Sequence, residues 1–296
     1  MKWSRKMSLT TLQFMPEIVS PLTSIHGKGS VSFSVGSDGI CRLQHLYQSD
    51  PVRVLFPISP RGEVPCAVFV TTSGGLVGGD IIELAVKVDN GGFAQITSQA
   101  AEKIYRSTGD TCQINVSLIA QNKAWLEWLP QETIIFDGGR LHRKTIVNVA
   151  KGSRLLAGEV LVLGRSAMGE KVRTGLIRDN WEISYDGRFT WADALYLDKD
   201  IESFVNHPAG LGSARALGTI VFAADNAYDY LDTARQLLAT QNSEVRSGAT
   251  VVGGLLVVRF MASDPYSLRN VFGDFWAGFR YAAAKLPSTL PRLWQI

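Results

Sequence analysis

The chain has 296 residues, 46% of them hydrophobic and 19% charged, with a formal net charge of +3. This composition excludes a disordered polymer, and Lys and Arg form no dense run of the kind a nucleic-acid surface needs. Three widely spaced cysteines, Cys41, Cys66 and Cys112, exclude a disulfide framework and point to reduced thiols in a cytoplasmic setting.

Residues 1–24 show no clean period and read as a partly mobile extension. Lys2, Arg5 and Lys6 open it, but Pro16 and Glu17 interrupt any apolar stretch, so no export signal is expected. No linker divides the remainder, and residues 25–296 read as one domain. Val31, Phe33 and Val35 alternate with serines, the pattern of a half-buried strand. A turn follows over Gly36–Gly39. Cys66–Val70 is a short apolar run suited to a buried strand. After the glycine-rich stretch Ser73–Asp80, Ile82, Leu84, Val86 and Val88 alternate with less apolar residues and end at Asn90-Gly91-Gly92, a turn signal. Further strands are expected at Ala94–Ser98, Gln113–Ile119, Trp125–Leu129, Thr133–Phe136, Thr145–Val149 and Glu159–Leu163. Many short strands with Gly and Pro between them indicate a mainly β sandwich, barrel or solenoid.

The last quarter differs. From Asp225 to about Ser243, Tyr228, Leu231, Ala234 and Leu238 recur at helical spacing. Val251–Phe260 reads as a strand, and the apolar run Ala249–Val258 is too short to span a bilayer. A second helix is expected after Asp264, a residue type suited to an N-cap, with Pro265 at the first helical position. Its stripe of Leu268, Val271, Phe272, Phe275, Trp276 and Phe279 fits either core packing or a partner surface.

Common chemistries are excluded one by one. The segment Gly74-Gly75-Leu76-Val77-Gly78-Gly79-Asp80 has Asp80 where a phosphate loop needs Lys, and a strand pattern follows it where a helix start is required. Gly164-Arg165-Ser166-Ala167-Met168-Gly169 is one residue too long for a nucleophile elbow. His26, His45, His142 and His207 have no paired-ligand spacing. The enzyme alternative left open is a β-helix carbohydrate hydrolase whose paired carboxylates assemble only in three dimensions.

Four segments carry a resemblance. They read SGGLVGGD (residues 73–80), SQAAEKIYRS (98–107), WLEWLPQETIIFDGG (125–139) and LVLGRSAMG (161–169), and the chain closes with Leu290-Pro291-Arg292-Leu293-Trp294. In this order they resemble the urease accessory protein D family, called H in some organisms, from about residue 25 to the C-terminus. The chain departs from the family pattern at Ser73, where Pro is common. It departs again over Ala100–Ser107, where the family often reads Pro-Gly-Ala-x-Lys-Phe-Tyr-Arg-Ser and Glu102 is an added charge.

The resemblance implies an irregular, β-helix-like stack of short strands with two α-helices towards the C-terminus. It implies a non-enzymatic scaffold that binds the F accessory protein and recruits the G accessory GTPase. On the same resemblance, the assembly would dock on urease apoprotein and nickel would pass through an internal tunnel. No cofactor would be bound tightly, nickel would be in transit, and GTP would belong to the partner.

Cargo that must be released suits carboxylates better than clustered thiolates or imidazoles. The candidates for nickel transit are Asp80, Glu102, Asp137, Glu159 and Asp193. Asp80 and Asp137 sit at glycine turns, where Asp also caps its own backbone. Glu159 lies in an apolar run and points to an interior, where a carboxylate without a partner is costly and favours a wet channel. Candidates for the partner interface are Tyr105 and Arg106, together with Phe272, Phe275, Trp276 and Phe279 of the last helix.

Overall fold

The computed structural model describes residues 24–165, 168–240 and 243–295. The expected mobile extension lies outside them apart from Ser24, as do Ser166 and Ala167 of the fourth resembling segment.

The alternation seen in the sequence becomes a β-solenoid of about four turns, because through the middle of the chain each strand crosses to another sheet face before the next turn begins. One sheet holds β1 (His26–Val35), β2 (Cys41–Ser49), β5 (Ile81–Asp89), β8 (Cys112–Ala120), β11 (Arg140–Val149), β13 (Leu176–Tyr185) and β14 (Arg188–Asp198). Its order is β14-β13-β11-β8-β5-β1-β2, parallel from β13 to β1 and antiparallel at both ends. The other sheet runs β16 (Arg246–Val252), β17 (Leu255–Ala262), β15 (Ala216–Ala223), β12 (Arg154–Leu163), β9 (Trp125–Leu129), β6 (Phe93–Ser98), β4 (Cys66–Thr71) and β3 (Val52–Leu55). Two short strands, β7 (Glu102–Ile104) and β10 (Thr133–Ile135), build a third face beside β12.

On that third face, Leu76 bridges Ile104, Ile104 pairs with Ile135, and Ile135 pairs with Leu163. All four side chains are buried. The glycine-rich stretch therefore joins two strands and supplies the first rung of this stack. The four resembling segments occupy successive rungs.

Strand β12 turns the corner between faces. Its residues 154–157 pair with β9 and its residues 161–163 pair with β10. Leu155, Ala157, Leu161 and Leu163 point into the solenoid interior, while Leu156, Val160 and Val162 point out to a second core. That second core is covered by α2 (Leu231–Ala239), preceded by a 3-10 turn at Ala227–Tyr230, and by α3 (Pro265–Ala284). A short helix, α1 (Ile201–Asn206), follows β14.

Helix α3 begins as the sequence indicates. The Asp264 carboxylate accepts the Ser267 N–H at 2.8 Å with Pro265 next in line, and the helix stops at Lys285 in the left-handed region, φ 58°. Glycine is required beneath it. A Cβ at Gly158 would lie 2.7 Å from the Phe272 ring, and one at Gly218 would lie 3.0 Å from it. The helix also carries Arg280 to a fully buried position. There its Nε donates to Glu127 at 3.1 Å and its terminal nitrogens donate to Glu63 at 3.0 and 2.8 Å.

Two expectations are corrected. Val251–Phe260 is not one strand but the hairpin of β16 and β17. Its turn is Gly253-Gly254, at φ 58° and 83°, conformations that glycine adopts without steric cost. The aromatic stripe of α3 is not presented at a surface. Phe272, Phe275, Trp276 and Phe279 are fully buried against Phe222 and Phe260, because the outer face of the larger sheet needs covering. The β13–β14 and β1–β2 hairpins, β15 and α1 have no counterpart in the sequence reading. Among the described residues no helix is long and apolar enough to cross a membrane.

Core packing of α3 has a direct test. Trp276→Ala is expected to cost about 3–5 kcal/mol of stability, measured by denaturant unfolding of the purified chain. Trp276→Phe is expected to cost far less, because the indole N–H is buried without a hydrogen-bond acceptor and its loss removes that burden.

Candidate functional site

The third-face turns gather several predicted residues. Asp80 is buried and spent on backbone: its carboxylate accepts the N–H of Val77 at 2.8 Å and of Ile25 at 3.1 Å. Glu102, on the next rung, accepts the Thr71 hydroxyl at 2.7 Å. Burial pushes its pKa up, and the neighbouring Asp80 charge adds to the rise. The Cys112 thiol lies beside both carboxylates and is pushed well above its usual range, first by burial. Tyr105 donates its hydroxyl to the Gly74 carbonyl at 3.1 Å and sets its ring edge-on to Phe136, 4.9 Å away. Asp137 accepts the N–H groups of Arg173 (2.8 Å) and Thr174 (3.1 Å) and pairs with Arg106 at 3.1 Å. Partial burial would raise its pKa, but the two backbone N–H groups and the neighbouring arginines hold it below the usual range. Asp137 and Tyr105 thus fasten turns to one another, while Arg106 stays exposed.

A second group lies where β12 rounds its corner. Alternation turns Gly158 toward α3 and Glu159 inward, leaving Glu159 only 5% exposed. Its Oε1 accepts the Thr145 hydroxyl at 3.1 Å and the Trp128 indole N–H at 3.4 Å. Its Oε2 lies 3.0 Å from Arg143 Nη2 but accepts no hydrogen bond. Arg143 is the register partner of Asp179 and grips it through Nε at 2.9 Å and Nη2 at 2.5 Å. Its Nη1 donates to Thr133 at 3.0 Å. Burial pushes Glu159 up to about 7, and the Arg143 charge offsets only part of that rise. The expected carboxylate without a partner therefore has one, and a charged one.

Glu159 and Asp179 line a cavity of about 240 Å³ that also takes in Asp193 and Arg259. These last two pair with each other at 2.6 Å near the surface. A row of polar groups follows from the strand register. Asp80 and Glu102 stand on the first rungs, Thr133 is the register partner of Glu102, Arg143 bonds Thr133, Glu159 and Asp179 flank Arg143, and Asp193 lies at the cavity mouth. Four of the five predicted acids lie along it, and Asp137 does not.

The sequence reading missed Arg143 and Asp179, although a signal exists. In β11 the inward positions run Leu141, Arg143, Thr145, Val147 and Val149, so two polar residues interrupt an apolar face. Among the described residues no three His, Cys, Asp or Glu side chains are arranged to hold a metal ion. The paired carboxylates of the hydrolase alternative do converge here, but they are joined through one buried guanidinium, in the place where a sugar or water would have to sit.

The segments that resemble urease accessory proteins thus stand on successive rungs of this solenoid. A family model described as UreD urease accessory protein matches residues 26–295. A urease accessory protein UreD of Magnetococcus marinus is 42% identical over 285 residues, covering 95% of this chain and 98% of its own. That alignment reaches into the first 25 residues. A UreD of Paracoccus denitrificans is 36% identical, covering 95% of this chain and 97% of its own. A third, from Bradyrhizobium sp. BTAi1, is 38% identical over 90% of this chain and 93% of its own. The chain belongs to the UreD family.

Glu159 gives a pH test. Its folded pKa lies above the unfolded value of 4.5, so the folded form binds the extra proton. The stability linked to that proton is full below about pH 4.5 and is lost as pH rises through about 7. Glu159→Gln, which stays neutral, is therefore expected to be more stable than the parent above pH 7, by up to about 3 kcal/mol, and so to melt higher. The gap should close towards pH 5. Melting curves of both proteins from pH 5 to 8.5 check this.

Proposed function

We propose that this chain is a non-enzymatic scaffold for urease maturation. It acts with the helical F accessory protein and the G accessory GTPase, and it passes nickel to urease apoprotein along the interior polar row. The observation that carries the reading is that row, found inside a member of a family named for urease maturation. Carboxylates and hydroxyls set along a buried path can hand on a divalent ion without trapping it, because oxygen ligands bind nickel less tightly than imidazole or thiolate sets do. GTP chemistry is assigned to the partner, since the glycine-rich stretch of this chain carries Asp80 in place of a phosphate-binding lysine. Reduced thiols fit a cytoplasmic site of action. The exposed Arg106 and the turns around it form the surface proposed to meet a partner, Arg being favoured at interfaces.

The test is co-purification with the F and G proteins followed by nickel-dependent activation of apo-urease. Association and activation are expected. Glu159→Ala is expected to lower the nickel content and activity of urease several-fold while the accessory complex still assembles. Normal nickel loading with this variant would remove Glu159 from the path, and a parent chain that neither associates with the F and G proteins nor promotes activation would overturn the reading.

A further inference from the structure

We propose that Arg143 is a tethered counter-ion that closes the interior row, and that a divalent cation passes Glu159 and Asp179 only by taking the place of its guanidinium. This rests on the transit reading above and adds the step that controls it.

The charges lining the cavity do not balance. Glu159, Asp179 and Asp193 face Arg143 and Arg259, one positive charge short when all are ionised. Arg259 is committed to Asp193 at 2.6 Å and to the Thr219 hydroxyl at 2.7 Å. Arg143 alone serves the other two carboxylates, and it serves them unequally. Asp179 receives two directed hydrogen bonds, whereas Glu159 Oε2 receives none, though Nη2 is 3.0 Å away. The guanidinium thus has a gripped side and a loose side. On the loose side a buried carboxylate oxygen lacks a hydrogen-bond donor, and its residue lines the cavity.

A positive charge between two converging carboxylates stands where a metal cation would stand. Removing it without replacement leaves two uncompensated charges in the interior, which is strongly unfavourable. Exchange with a divalent ion avoids that state, because the guanidinium moves aside only as the ion arrives. An arginine suits this role better than a lysine. Its charge is permanent, and its planar fork can hold Asp179 while one edge remains beside Glu159.

The experiment is nickel(II) chloride binding to the purified full chain, by equilibrium dialysis, for the parent, Arg143→Gln, Arg143→Lys and the double variant Arg143→Gln/Glu159→Gln. Arg143→Gln removes the competing charge and is expected to bind nickel at least about tenfold tighter. The double variant is expected to lose that gain. In the urease assay, Arg143→Gln is expected to activate less than the parent, because the ion is retained. A folded Arg143→Gln with unchanged or weaker affinity overturns the proposal. Should Arg143→Gln not fold, Arg143→Lys decides: it keeps the charge but loses the fork, so a several-fold gain supports the proposal and no gain overturns it. Failure of the transit reading is distinguishable, since there the parent chain itself fails to promote nickel-dependent activation.

Discussion

From Leu155 to Leu163, strand β12 has no solvent face. Its inner residues belong to the solenoid core, its outer residues to the core under α3, and its two halves pair with different neighbours. Any side chain on it is therefore committed to one of two interiors. Glycine at position 158 lets α3 close on one side, and the neighbouring position then faces inward. This is how a carboxylate comes to stand in the middle of the molecule. The fold gives Glu159 no exposed alternative, and the surrounding strands have to answer its charge.

Two buried arginines answer such charges in different ways. Arg280 is matched on every side: Glu127 takes Nε, Glu63 takes both terminal nitrogens, and the Pro287 carbonyl accepts from Nη1 at 2.6 Å. Because those partners come from β9, from the loop before β4 and from the segment after α3, the cluster ties the helix to two earlier parts of the chain and to the segment that follows it. It is a structural joint. Arg143 sits among acids too, but one of its contacts lacks a directed hydrogen bond and a cavity opens beside it. A fully matched buried ion pair rigidifies its surroundings. An incompletely matched one keeps the capacity to exchange partners.

Much of the solenoid was legible because one face of most strands is covered and the other is less so, which leaves period two in the sequence. β1, β5 and β8 show it plainly. The third-face rungs were legible through their segments, since tight turns between stacked strands demand particular residues such as the glycines at 74, 75 and 79, each with positive φ. Elements without such a mark were lost. The outer hairpin strand β2 is exposed from Arg42 to Gln48 and has no apolar side to detect. The turn at Gly253-Gly254 was read through, because Val251-Val252 before it and Leu255-Leu256 after it continue the same apolar run. Asp179 was illegible for another reason: its meaning depends on Arg143, thirty-six residues earlier in the chain, and local pattern carries no register between distant strands. The aromatic stripe of α3 was legible as a stripe. Its destination was not, because a covered sheet and a waiting partner demand the same side chains.

The coil-on-coil arrangement also orders events in time. Each turn of a solenoid touches mainly the turns beside it, so its stability is close to a sum over neighbours. The turns near β12 are clamped from outside by α3, whereas β1, β2 and β3 at the far end have no helix over them and β2 packs neither face. Opening therefore starts at that end, like the loose end of a zip, and moves inward one rung at a time. Amide hydrogens in β2 are therefore expected to exchange before those of β12. The rungs that carry Asp80 and Glu102 lie between the two, in a part of the molecule that opens more readily than the corner where Glu159 stands.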